Sequence, residues 1–336
     1  MNTTVLARPA GSLAPQGIQP ERQGRDALLL GVKIGFSALA VATIYYSVDF
    51  SAAWHRASNL DPRLILAAAM VMMLQIACGG LRWKYILARL GTPLATAEAL
   101  RLFYISAFFN TCSWGAVSGD IIRVWLSYRA RMKAADCVHS VILDRVAAVA
   151  GVAILVLATV PWLGARVGYN LPLVFSMAIA VAGLMGIAVV AQLERLPASW
   201  RRLRLVRLVQ DLGGATRHVL LKPGAISVFA MAIMAQMTMA LAAYILAHGL
   251  GIEVGLIACL ALMQPVALLT ALPISIGGWG VREAAMIGLF ALVGVPAHTA
   301  LLLSVSLGLL AVVVSLPGAV IWVLLRVSNS RQHERS

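Results

Sequence analysis

Apolar residues run in long blocks along this chain, and the polar residues gather between the blocks. Leu28–Ser47, Leu64–Leu81, Ser140–Val160, Leu171–Gln192, Ala225–His248, Val254–Ala271 and Thr299–Leu325 each read as a full span. A helix rising about 1.5 Å per residue crosses a hydrocarbon core of about 30 Å in roughly that length. Leu100–Trp125 and Pro273–Val293 are also apolar, but glycine, proline and charge interrupt them. The pattern predicts an all-α polytopic membrane protein with about seven or eight transmembrane helices and two Gly/Pro-interrupted segments, re-entrant or broken.

Composition agrees. Of 336 residues, 61% are hydrophobic and 12% charged, and the mean hydropathy is +0.88. A soluble domain of that composition would have too little polar surface to stay in solution. Residues 1–27, with Pro9, Pro15 and Pro20 and no apolar core before a small-residue cleavage site, read as a disordered tail rather than a signal peptide. One transmembrane domain over 28–326 is expected, with halves 28–192 and 225–326 joined by a basic segment at 193–224 and followed by a tail at 327–336. Cys78, Cys112, Cys137 and Cys259 have neither disulfide nor zinc spacing, so no metal or cofactor is expected.

The net charge is +14, and its placement sets orientation. Glu194–Pro223 holds Arg195, Arg201, Arg202, Arg204, Arg207, Arg217 and Lys222, which makes it cytoplasmic by the positive-inside rule. Arg82, Lys84 and Arg89, Arg123 to Lys133, and Arg326 fall on the same side. Both termini are then expected in the cytoplasm, with Leu100–Trp125 entering and returning and Gly280–Val293 crossing. "RLVRLVQDLGG" from Arg204 has the spacing of an amphipathic helix on the inner leaflet, or of a solvated loop that only fixes topology. Membrane orientation accounts for the basic residues, so nucleic acid is not expected as a partner.

The two halves resemble each other. "NTCSWGAVSGDIIRVW" (110–125) and "PISIGGWGVREAAM" (273–286) each place a Trp and small residues before an acid and an arginine. Such interrupted segments in matching positions are the sequence mark of a transporter's midplane site. An unpaired backbone group in hydrocarbon costs several kcal/mol, so a break implies a protein-lined polar cavity. Glycine lets backbone approach a ligand, and a helix N-terminus favours an anion.

The charges inside these blocks are the candidate binding groups, since an ion at a helix centre costs about 2.5–3.5 kcal/mol and is retained for pairing or function. Arg82, Lys84, Arg123, Arg145 and Arg282 against Asp120, Asp144 and Glu283 leave an excess of two positive charges, which suits an anionic headgroup. Asp120 and Arg123 share a helix face. Arg282 and Glu283 are adjacent and are expected to reach different partners, Asp120 and Arg123 across the two broken segments. Each has a second reading. Arg82, Lys84 and Asp144 can be snorkelling anchors, Asp120–Arg123 a structural pair, Trp83, Trp114 and Trp279 belt aromatics, and Gly79 and Gly80 packing residues. No histidine pairing appears, and Cys112 and Ser113 have no nearby base, so no catalytic residue is assigned.

"LRWKYILARLG", "SGDIIRVWLSYRA", "SVILDRVAAV" and "PISIGGWGVREAA", in that order, resemble the lysylphosphatidylglycerol synthase transmembrane-region family, a flippase-like membrane family. The similarity runs from about Leu64 to Gly318, with Ser118 where many members carry a second glycine. The resemblance implies a lipid-handling membrane protein. In the namesake proteins this region moves an aminoacylated anionic phospholipid between leaflets, and an attached soluble domain makes that lipid. This chain stops soon after its last span, so no such domain and no lysyl transfer are expected. Relatives of similar length are linked to polyprenyl-phosphate sugars or envelope lipids. Carried over, the matching positions are Arg82, Gly119, Asp120, Arg123, Asp144, Arg145, Gly277, Gly278, Gly280, Arg282 and Glu283.

Three functions compete on this reading: a translocator of an anionic or lipid-linked lipid in the plasma (inner) membrane, a membrane enzyme or accessory subunit acting on lipid-linked substrates, and a scaffold. No P-loop pattern supplies ATP hydrolysis. Membrane lipids are the expected partners, with a homo-oligomer or a lipid-biosynthesis enzyme as the candidate protein partners.

Overall fold

The computed structural model describes residues 61–112, 118–192, 204–271 and 280–333. Ten α-helices, and no strand, occur among the described residues: α1 Pro62–Arg89, α2 Thr96–Cys112, α3 Ser118–Arg129, α4 Ala134–Val167, α5 Leu171–Gln192, α6 Arg204–Thr216, α7 Ala225–Gly249, α8 Leu256–Ala271, α9 Val281–Phe290 and α10 Ala297–His333. The sequence-predicted span Leu28–Ser47, the tail before it, Trp114, Gly277, Gly278 and Trp279 lie outside the described residues.

Five helices are long and apolar enough to cross a membrane: α1, α4, α5, α7 and α10 through Leu325. Local chemistry sets their ends. Asp61 caps α1 by accepting the N–H of Arg63 at 2.8 Å, and Pro62 fills the first position, where no N–H is needed. Two expectations change in this region. Val254–Ala271 appears as the 16-residue α8, shorter than a full span. Helix α9, ten residues long, extends about 15 Å, half of a hydrocarbon core, so it is too short to cross as one helix.

Helices α2 and α3 fold back on each other. Ser118 Oγ donates to the carbonyl of Phe109 at 2.8 Å, and the N–H of Gly119 donates to Asn110 Oδ1 at 3.0 Å. A side-chain carbon on Gly119 would run into the backbone carbonyl of Ser106. Helices α2 and α3 are thereby held side by side.

The packing repeats between the halves. Exchanging α1, α2, α3 and α4 for α7, α8, α9 and α10 maps one set of contacts onto the other. α1 packs on α7, α2 on α10 as α8 does on α4, and α3 on α4 as α9 does on α10. The halves are inverted, because α1 and α7 run antiparallel. Arg89 at the end of α1 donates to the carbonyls of His218 (2.7 Å) and Pro223 (3.0 Å), just before α7 starts. Gly224, at φ +93°, makes that turn, and a side chain there would meet the Arg89 guanidinium. Lipid tails supply no hydrophobic drive between helices, so close approach relies on small residues. Gly151 meets Ala232 where α4 crosses α7, and Gly318 meets the Tyr104 backbone where α10 crosses α2.

Candidate functional site

Three helices of the first half bring five ionised side chains into one chain of contacts. Arg82 comes from α1, Asp120 and Arg123 from α3, and Asp144 and Arg145 from α4. Arg82 Nε donates to Asp144 Oδ1 at 2.8 Å, and Arg123 Nη1 donates to Asp144 Oδ2 at 3.0 Å. Arg123 Nη2 reaches Asp120 Oδ1 at 3.2 Å, and Arg145 Nε reaches Asp120 Oδ2 at 2.6 Å. Each carboxylate thus bridges two arginines. In a medium of low dielectric such pairing offsets the large penalty of taking ions out of water.

Arg123 sits at the middle and is the most enclosed, with its side chain 1% exposed. Its guanidinium lies 5.0 Å from the ring centroids of both Trp83 and Phe103, which supply their negative faces to it. Trp83 is held in turn by Ser140, which accepts its indole N–H at 3.2 Å. Trp83 is therefore fully buried and is not a belt aromatic, which corrects one of the two sequence readings. The snorkelling alternative for Arg82 and Asp144 also falls, since both are buried.

The row of charges forms one wall of a cavity of about 280 Å³ between the halves. Gln75, Ser106, Asn110 and Thr111 add neutral polar groups, Gln236 of α7 and Ser315 of α10 add two from the second half, and Met72, Ile76 and Val314 line the apolar remainder. These polar contributors were missed from the sequence. Gln75 and Gln236 had a usable signal, being polar amides in the middle of otherwise apolar spans.

Three arginines against two aspartates leave one positive charge in excess. The expected excess of two drew on residues that lie elsewhere. Lys84 donates to Thr96 Oγ1 at 2.7 Å in an exposed position. Arg282 and Glu283 form a separate cluster: Arg282 Nη2 donates to Glu283 Oε1 at 2.7 Å, and Ser304 Oγ of α10 donates to the same oxygen at 3.2 Å. The backbone N–H of Gly280 donates to Glu283 Oε2. The expectation that Arg282 reaches Asp120 and Glu283 reaches Arg123 is thus overturned. Asp120 is filled by Arg123 and Arg145, and Glu283, third in its helix, caps α9 by reaching back to Gly280. Adjacent residues can meet here because both side chains fold around the first turn. Neither Glu283 nor Arg282 lines the cavity, although the Arg282 guanidinium lies against Gly308, one turn of α10 before Ala311 of the cavity wall. Gly79 serves both roles considered for it, lining the cavity while contacting Phe103.

The family model for the lysylphosphatidylglycerol synthase TM region matches residues 28–325. The chain belongs to that family. Membership in the lysylphosphatidylglycerol synthase transmembrane-region family makes this an integral membrane protein of a family associated with lipid handling. No curated protein matches the chain.

Proposed function

We propose that this protein translocates a lipid with an anionic headgroup, a phospholipid or a lipid-linked phosphate, between membrane leaflets, and that the Arg82–Asp144–Arg123–Asp120–Arg145 row holds the headgroup. One observation carries the reading. Arg82 and Arg145 both line the cavity and each uses only Nε on a carboxylate. Their Nη groups make no hydrogen bond among the described residues. Two guanidinium forks and one uncompensated positive charge are what a phosphate requires, because its oxygens accept paired N–H bonds.

Location between inverted halves supports translocation over static binding, since movement of one half against the other changes the side from which a central site is reached. Catalysis is not part of the proposal. Both carboxylates are taken up by arginine N–H groups, which leaves no free acid or base in the row. The orientation we favour has both termini in the cytoplasm of a plasma membrane. Arg89, Arg129, Lys133 and Lys222 mark the cytoplasmic face, where the end of α1 meets the start of α7. Lipids are the proposed partners, and a second copy or a lipid-synthesising enzyme would join them only through surfaces away from this cavity.

The experiment is leaflet exchange in liposomes with headgroup-labelled phosphatidylglycerol and phosphatidylcholine, at matched insertion of wild type and Arg82→Gln. Protein-dependent exchange of the anionic lipid that falls sharply in the variant supports the proposal. Folded, inserted protein that exchanges neither lipid overturns it.

A further inference from the structure

The cavity is too small for a whole lipid. At about 280 Å³ it falls at the lower edge of the range that holds a single small ligand, so it takes a headgroup and leaves the tails to be placed. Three further crevices border the helices among the described residues. Two lack any charged residue: one of about 610 Å³ between α5, α8 and α9, and one of about 560 Å³ along α5. The third, about 420 Å³, lies between α4, α5 and α6. Its walls are Ile142, Val146, Val149, Ile187 and Val190, with Leu212 of α6 at its end. It also contains Arg145, which is the one residue it shares with the polar cavity.

Arg145 differs from the rest of the row. Its side chain is 52% exposed, whereas those of Arg82, Arg123, Asp120 and Asp144 are at most 8% exposed. It therefore stands in the opening between a polar compartment and an apolar one, held by Nε to Asp120 with its Nη groups left over. Gly183 and Gly186 keep the apolar compartment open on the α5 side. Nothing lies within 4 Å of where a Cβ of Gly186 would be, and only Val149, at 3.8 Å, lies near that of Gly183. These two glycines do not serve close helix contact, unlike Gly151 or Gly318.

We infer that the α4–α5–α6 crevice is the seat of a hydrocarbon chain of the lipid whose phosphate is held by Arg145. The inference rests on the proposed headgroup site and adds where the chain lies and which flank the lipid uses. The crevice is bordered by Leu212 and Thr216 of α6, within the basic segment, so the lipid approaches from the leaflet on that side, with its phosphate passing Arg145 and its tail sliding between α4 and α5. The occupant is a membrane lipid rather than a soluble phosphate, because the walls beside Arg145 are aliphatic.

The test uses the full chain in liposomes containing phosphatidylglycerol with a photoactivatable group in one acyl chain. Crosslinked peptides are mapped in wild type, in Gly186→Trp and in Gly288→Trp. Both substitutions enter open space, but Gly288 lines the α5–α8–α9 crevice, which shares no residue with the polar cavity. Wild-type crosslinks should fall on Ile142–Val149 and Gly183–Val190. They should drop about tenfold or more in Gly186→Trp and persist in Gly288→Trp, because each methylene excluded from an apolar seat loses a factor of about four. Soluble glycerol phosphate should fail to compete at concentrations where the lipid does. Crosslinks mapping elsewhere, or an equal loss in both variants, overturn the inference. Leaflet exchange is measured on the same vesicles, so the two readings separate. Crosslinks in the crevice without exchange leave the chain seat standing and remove translocation, whereas exchange with crosslinks elsewhere does the reverse.

Discussion

Arg145 donates its Nε to Asp120 across 2.6 Å while half of its side chain stays exposed, at the end of a row whose other four members are buried. The row is asymmetric. One end is buried between α1 and α4, and the other also borders the aliphatic crevice.

Removing the locked carboxylate should damage the fold. In Asp144→Ala, Arg82 and Arg123 each lose a buried partner, and uncompensated buried charge costs about 3–5 kcal/mol. The thermal midpoint in detergent should fall steeply. A midpoint close to wild type would mean that water reaches the row from a side not apparent in the structure.

Removing the exposed arginine should spare the fold. Asp120 keeps its bond to Arg123 and the Arg145 side chain is 52% exposed, so Arg145→Gln should shift the midpoint less than Asp144→Ala does. Anionic-lipid exchange should nevertheless drop. Comparing its midpoint with that of Asp144→Ala, on one preparation protocol, separates holding the protein together from holding a ligand.

Two glycines should respond in opposite ways. Gly119→Ala drives a methyl into the Ser106 carbonyl, and overpacking of this kind costs about 1–3 kcal/mol. Gly186→Ala meets nothing and should be neutral or gain up to about 1 kcal/mol of helix propensity. Fluorescence-detected size-exclusion after a heat step would rank them. The reverse order would contradict the α2–α3 hairpin.

Glu283→Ala should loosen the start of α9. It removes the acceptor for the Gly280 N–H and one acceptor of the Arg282 guanidinium, a loss of about 1–3 kcal/mol in total. Hydrogen exchange should quicken at Val281–Ala284 before it does elsewhere. Protection unchanged at those amides would place the stabilising contact of α9 on another residue.

Much of this was legible along the chain. Apolar block length located α1, α4, α5, α7 and α10, because a helix in lipid must satisfy its own backbone and match the bilayer thickness. Both are local properties. The return of α2 onto α3 was visible from the Gly119 motif, and the five charges of the row were singled out because ions in apolar spans need a reason. Val254–Ala271 read as a full span because hydropathy registers apolar length and not where the helix begins and ends.

What the chain by itself determined is therefore the five long apolar helices and the identity of the charges. What only the tertiary structure decided is which charges meet. Glu283 turns back to its own helix start and to Arg282, while Asp144, twenty-four residues from Asp120 in sequence, joins it through Arg123. Ion pairing falls off within a few ångströms, and those few ångströms depend on how closely Gly119, Gly151 and Gly318 let the helices approach.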